Sequence, residues 1–262
     1  MAVSPGVGLQ AMGEGIGDPG VAVTPQTLHT IECGIASVVM VPSDPYWSSV
    51  VLLAVNDNQA DGTTTFADQS NSAHAITARN SAQYDTSSAP SGMTSSGQFV
   101  RASSDYLDTP DHADWDLPGD FTLDFAIRFD SHTASQGILG VINSSAVGAW
   151  GSVWNTANIF RVFINNAAVI LDFSFTPTNA VWYWVEINRS GNDWRAFVDG
   201  TQIGTTLTDT VTLNANTSTL SIGGLTDGIN NLDGRLASVR ITKGVARHTA
   251  NFTPPSLPLP TS

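Results

Sequence analysis

Asp120 and Asp124, four residues apart, are the nearest this sequence comes to a catalytic pair. Residues at even spacing on a strand share one face, and two acids on one face could serve as acid and base across a glycosidic bond. Their context argues otherwise. Asp120 closes the turn LPGD, and Asp124 lies between Leu123 and Phe125, where an outward polar position is expected. Glutamate is scarce, with Glu14 and Glu32 early in the chain and Glu186 alone in WYWVEIN. There is no Gly-x-Ser-x-Gly elbow, and His29, His74, His112, His132 and His248 show no metal or triad spacing, so they read as loop or edge residues. The lone Cys33 reads as a small buried hydrophobe. The expectation is a chain with no catalytic residues, not an enzyme.

Two binding patterns remain. Asp57, Gln59, Asp61, Gly62, Thr63 and Asp68 occupy positions 1, 3, 5, 6, 7 and 12 of an oxygen-donor loop. Calcium is the ion such a loop would take, through Asp57, Asp61 and Asp68; the competing reading is a solvated Asx turn. No other cofactor is expected. Trp150 and Trp154 in VGAWGSVWN, with Asn155 beside them, have the residue types of a sugar platform, an aromatic face next to a side-chain amide. Gly148 and Gly151 suggest a loop edge there, although both indoles would equally suit a core or an interface. Trp182, Trp184 and Trp194 lie in alternating segments and are expected to include core residues.

These residues must be positioned by strands. The 262 residues are 41% hydrophobic but only 13% charged, about half the usual share of roughly 25%, with Ser, Thr, Asn and Gly in the surface role. Runs rich in Val, Ile, Phe, Trp and Thr recur from Asp44 onward between turn residues, the pattern of a sandwich or barrel. Strands are expected at Val50 to Val55, Phe121 to Phe129, Ile138 to Ile142, Ile159 to Ile164, Val169 to Phe173, Trp182 to Asn188, Trp194 to Val198, Leu220 to Gly223 and Leu236 to Ile241. In Phe121, Leu123, Phe125, Ile127 and Phe129 every second residue is large and apolar, which predicts one buried and one wet face. Asp199-Gly200 suits a two-residue hairpin turn, as do Gly191-Asn192 and Asn165-Asn166.

Residues 1–43 differ, holding seven glycines and four prolines with one strand-like stretch at Ile35 to Val41. Such a segment cannot build its own core, so it reads as an arm for docking or assembly, or else as a disordered tail. With 23 acidic against 10 basic residues the net charge is −13, which repels nucleic acid and anionic membranes. No signal peptide is read at the start, and the longest apolar run, VVLLAV, is far short of a membrane span. Neither nucleic acid nor membrane insertion is expected.

Four stretches carry a resemblance: SDPYWSSVVLLAVND, DYLDTPDHADWDLPGDFTLDFAIRF, WYWVEINRSGNDWRAFVDGTQIGT, and LSIGG through DGRLASVRITKGVARHTANFTPP. Together they resemble the concanavalin A-like lectin/glucanase superfamily, and more narrowly the laminin G-like domains of tailed-bacteriophage structural proteins. The tail RITKGVARHTANFTPP is the most specific part: Arg247, Phe252, Pro254 and Pro255 fit the family pattern, whereas His248 stands where the family has an aromatic. The glucanases' Glu-x-Asp-x-Glu strand is missing.

The resemblance implies an all-β, two-sheet antiparallel jelly-roll sandwich over residues 44–262; the tail itself reads as a short turn after the closing strand, with Phe252 buried as a plug. It also implies a virion setting as a head decoration, tail-tip or fibre component assembled in the host cytoplasm. Expected partners are other virion proteins through the arm, further copies of the chain in a homo-oligomer, and a host glycan. A stand-alone carbohydrate-binding module and a glycan hydrolase are the rival readings.

Overall fold

The computed structural model describes residues 43–141, 150–164, 168–213, 217–225 and 230–262. Residues 1–42 lie outside the described residues, and with them the arm, Glu14, His29, Glu32 and Cys33; so do Gly148 and the Asn165-Asn166 turn. The described residues belong to the compact unit Pro42–Ser262.

Among the described residues the protein is built of strands and three short 3-10 turns, Trp47–Ser49, Arg101–Ser103 and Ala113–Trp115. The strands are β1 (Val50–Ala54), β2 (Thr77–Arg79), β3 (Gln83–Asp85), β4 (Ser96–Phe99), β5 (Tyr106–Thr109), β6 (Phe121–Phe129), β7 (Gln136–Val141), β8 (Trp150–Asn155), β9 (Ile159–Ile164), β10 (Ala168–Ser174), β11 (Trp182–Ser190), β12 (Asp193–Val198), β13 (Thr201–Thr208), β14 (Leu220–Ile222) and β15 (Gly234–Lys243). No helix among them is long and apolar enough to cross a membrane.

The strands form two antiparallel sheets. One has the order β13-β12-β11-β6-β15-β4-β3, with β1 also paired to β15; the other runs β10-β9-β8-β7-β14-β5-β2. Their facing sides make one core. Phe121, Leu123, Phe125, Ile127 and Phe129 enter it from β6, Val185 and Ile187 from β11, and Trp154, Phe160, Val162 and Phe173 from the other sheet. This is the two-layer sandwich expected from the alternation, whose strands have one face for a partner sheet, and it agrees with the jelly-roll that the resemblance implies. The Asp199-Gly200 turn joins β12 to β13 with both residues at positive φ, 49° and 74°, as a two-residue hairpin requires. Gly191, at φ 60°, opens the turn between β11 and β12.

The wet face expected on β6 is not wet. Thr122, Asp124 and Ala126 alternate with the core residues yet are buried, and only Arg128 keeps partial exposure. A second layer covers this side of the sheet. Val50, Leu53, Met93, Ala126, Trp184, Ala237 and Leu259 form an apolar cluster there, with Trp47, Trp182, Phe252 and Leu257 packed against it. The cover is the segment around 44–47, the loop between β3 and β4, and the tail after β15. The tail is pinned where Gly244 N–H donates to the Asp120 carbonyl at 2.8 Å, Phe252 N–H to the Gly200 carbonyl at 2.9 Å, and Asn56 Nδ2 to the Leu259 carbonyl at 2.9 Å. Phe252 is half-buried rather than a plug: its ring stacks on His248 at 3.6 Å and meets Phe197 edge-on.

Candidate functional site

Strand alternation sends Tyr183, Val185 and Ile187 of β11 into the core and leaves Trp182, Trp184, Glu186 and Asn188 on the covered face. Trp184 pairs in register with Ala126 of β6, and the small alanine leaves space beside the indole. Loop residues 90–92 and tail residues 255–257 wall that space into an open cavity of about 410 Å³. Gly92 is needed here. It sits at φ +94°, and a Cβ on it would collide with the Leu257 carbonyl oxygen, so the tail comes this close only over a glycine.

The cavity has an aromatic floor and serines in its walls. Trp182 is half-buried and donates its indole N–H to Ser88 Oγ at 3.1 Å. Trp184 is 5% exposed, and its indole N–H has no hydrogen-bond partner among the described residues. Ser91 and Ser256 line the two walls.

Elsewhere on the same face the sheet buries a charge network. Arg240 bridges two carboxylates, with Nε and Nη2 on Asp124 at 2.9 and 2.5 Å and Nη1 on Asp44 at 2.8 Å. Arg247 closes on Asp44 through two further bonds of 2.9 and 2.7 Å. Burial pushes the Asp44 carboxyl up, but the hydrogen bond and charge of Arg247, the Tyr46 N–H and Arg240 outweigh it and hold it below the usual range. Glu186 Oε2 lies 2.7 Å from His248 Nδ1, and Oε1 accepts from Asn188 at 2.7 Å. Burial nevertheless raises the Glu186 pKa, opposed by His248 and reinforced by the Asp124 charge. Two guanidinium groups thus balance Asp44 and Asp124, and Glu186 is the extra acid.

Several expected sites change meaning. Trp150 and Trp154 are 0% and 1% exposed and belong to the core; their indole N–H groups donate to the Trp115 and Phe175 carbonyls at 3.0 and 3.1 Å. They are not a sugar platform, because both rings are packed into the core between the sheets and present no face to solvent. Asn155 Oδ1 accepts from the Ala157 N–H at 3.0 Å, a local turn. The twelve-residue calcium loop does not form. Asp57 accepts from the Tyr84 hydroxyl and from Gln59, Asp61 from the Thr86 N–H at 3.2 Å, and Asp68 from the Leu53, Ser70 and His74 N–H groups at 2.8 to 2.9 Å. Asp68 is therefore buried and saturated by backbone donors rather than solvated, and the three acids do not converge on a common point.

Asp120 accepts from the Gly191 N–H at 2.7 Å, while Asp124 is sealed against Arg240 and faces no cleft. The histidines are not all scattered, for His74 and His112 meet at Asp114. Composition marked neither Trp182 and Trp184 as cavity residues nor these histidines as neighbours. Period-two alternation with Glu186 and Asn188 was the available signal for the former.

The family model described as the concanavalin A-like lectin/glucanases superfamily matches residues 101–249, more than half of the chain. The chain belongs to this superfamily. The match ends just after Arg247 and His248, the tail residues that engage the buried network. No curated protein sequence matches the chain. Among solved structures, the binding domain of paraclostridial mosquitocidal protein 1 is 13% identical with a TM-score of 0.57, over 77% of this chain and 50% of that one. Botulinum neurotoxin type C, whose cell entry is described as dependent on two ganglioside molecules, gives 14% identity and 0.54, over 77% and 49%. The binding domain of botulinum neurotoxin DC in complex with SialylT gives 14% and 0.53, over 76% and 49%. This superfamily member thus spans about half the length of the structures it matches, and what it shares with them at such identity is the fold.

Proposed function

We propose that this protein is a non-enzymatic, glycan-binding sandwich in which the cavity over Trp182 and Trp184 seats a sugar. The carrying observation is the cavity itself: about 410 Å³, within the roughly 300–1,000 Å³ of small-molecule sites, floored by indoles and lined by serines. A sugar's apolar face stacks on an aromatic ring while its hydroxyls need polar partners, and the cavity offers both. Membership of a lectin-bearing superfamily and the ganglioside and SialylT descriptions attached to structural neighbours support the reading. The engagement of Asp120 and Asp124 by Gly191 and Arg240 supports the absence of glycosidase chemistry.

The finer reading is a bacteriophage virion component, displayed in many copies as a head decoration, tail-tip or fibre part, with residues 1–43 docking it to other virion proteins. It rests on the resemblance of the C-terminal stretch to phage laminin G-like domains. Many copies would let weak sugar contacts act together.

A glycan array with the full chain tests the binding claim. Binding abolished by Trp182→Ala and weakened by Ser256→Ala is expected, with Trp150→Phe leaving the glycan preference unchanged. Absence of any glycan signal, or a signal indifferent to Trp182→Ala, overturns it. A particle map in which residues 1–43 touch no other virion protein would remove the docking role.

A further inference from the structure

The other sheet carries a cluster that glycan binding does not use. β2 pairs antiparallel with β5, Thr77 opposite Asp108, so the residues just before β2 lie beside those just after β5. That register brings His74, His112 and Asp114 together although 40 residues separate His74 from Asp114. His74 Nε2 is 2.9 Å and His112 Nδ1 3.2 Å from the same oxygen, Asp114 Oδ2, and His112 Nδ1 accepts the Asp114 N–H at 3.1 Å, a bond that an ion there would displace. All three donor atoms lie within 4.8 Å of one another.

We propose that His74, His112 and Asp114 form a binding site for a divalent transition-metal ion, zinc foremost. Two imidazoles and one carboxylate are a borderline donor set that suits zinc and its neighbours and disfavours calcium. The spacing fits. Ligands about 2.0–2.1 Å from a tetrahedral ion stand about 3.3 Å apart, close to the 2.9 and 3.2 Å found here. Three protein ligands leave a fourth position open, the arrangement of sites that bind a further molecule.

The support around the ligands is of the kind metal sites use. Asp68 Oδ2 accepts the backbone N–H of His74 at 2.8 Å and fixes its turn. Ser72 Oγ donates to Asp114 Oδ2 at 3.0 Å, and the buried Trp115 packs under the His74 ring at 4.6 Å. The His112 side chain is half exposed, which gives an ion its way in.

Untagged, chelator-stripped full-length protein titrated with zinc chloride in a calorimeter is expected to take up one ion per chain at this site. Cobalt(II) chloride is expected to develop the visible absorption of a four- or five-coordinate ion. His74→Ala, His112→Ala and Asp114→Asn each weaken uptake by about tenfold or more, the loss that even supporting residues cause, whereas His132→Ala leaves it unchanged. His112→Ala decides the matter if His74→Ala misfolds, because its half-exposed ring can be removed without opening the core. Failure of the wild type to bind zinc saturably, or binding unchanged in folded His112→Ala, overturns the proposal. Neither outcome bears on the glycan array, which reads the other sheet.

Discussion

Asp124 and Arg240 face each other across β6 and β15 as a two-point ion pair, Oδ1 to Nε at 2.9 Å and Oδ2 to Nη2 at 2.5 Å, both buried. A bulge makes this pairing. The register shifts between Ala237 and Arg240, with Ser238 at φ 49°, and the shift places Arg240 rather than Val239 opposite Asp124. Removing one member of a buried pair leaves an uncompensated charge and costs about 3–5 kcal/mol, while replacing both by apolar residues is often neutral. Asp124→Ala is therefore expected to lose about 3–5 kcal/mol in urea unfolding. Asp124→Leu with Arg240→Met is expected to recover much of that loss, although Asp44 also leans on Arg240. A single variant as stable as the wild type would contradict the reading.

The same network predicts an acid limb. The folded-state pKa of Asp44 lies below its unperturbed value of 3.8, so the native state binds its proton less readily than the unfolded chain. That contribution is present above about pH 4 and disappears as pH falls through the lowered folded value. Glu186 is displaced the other way; its contribution is present below the ordinary glutamate range and is lost as pH rises through the raised folded value. Urea unfolding from pH 7 down to pH 2 is expected to show stability falling steeply below pH 4. Asp44→Asn flattens that fall from a lower starting point, and Glu186→Gln raises stability at neutral pH relative to its effect near pH 4. An unchanged acid limb in Asp44→Asn would count against the assignment.

Two glycines hold the tail down. Gly92 and Gly200 sit at φ +94° and +74°, and an added Cβ at each would meet the backbone carbonyl of Leu257 and Phe252 respectively. Gly200→Ala adds left-handed strain to the clash, so a loss exceeding about 1 kcal/mol is expected. Amide exchange should quicken at Phe252 before it quickens in β6, because the tail lifts while the inter-sheet core remains. Simultaneous quickening in both places would mean that the tail and sandwich open as one unit.

The inter-sheet core was readable because its signal is local: β6 and β9 have the bounds their apolar alternation gives. Alternation says which side chains share a face but not what lies over it. Alternation gives Thr122 and Asp124 a wet face, whereas their cover, with that of Glu186 and Asn188, comes from Asp44, Arg247 and His248, remote in sequence. Gly148 and Gly151 suggest a loop edge where β8 lies. In fact Gly140 and Gly151 pair across β7 and β8, and a side chain at Gly140 would press on the Gly151 backbone. The histidine cluster was hidden for a different reason: it depends on the β2–β5 register, and three-residue β2, with one half-buried and two exposed positions, has no periodicity to read.

Trp150 and Trp184 invite the sharpest comparison, since both are buried indoles with opposite hydrogen-bond states. Trp150 Nε1 donates to the Trp115 carbonyl at 3.0 Å, whereas Trp184 Nε1 has no partner among the described residues. Trp150→Phe strips a buried carbonyl of its donor and leaves a void, so a loss of about 2–4 kcal/mol is expected. Trp184→Phe removes a donor that was already unsatisfied, which offsets part of the lost packing, and its cost in urea unfolding is expected to stay below about 1.5 kcal/mol. On a glycan array the order reverses: Trp184→Phe alters binding because its ring borders the cavity, and Trp150→Phe does not. If Trp184→Phe proved the costlier of the two to stability and silent toward sugars, its indole would be structural cover and the cavity would lose its claim as a sugar site.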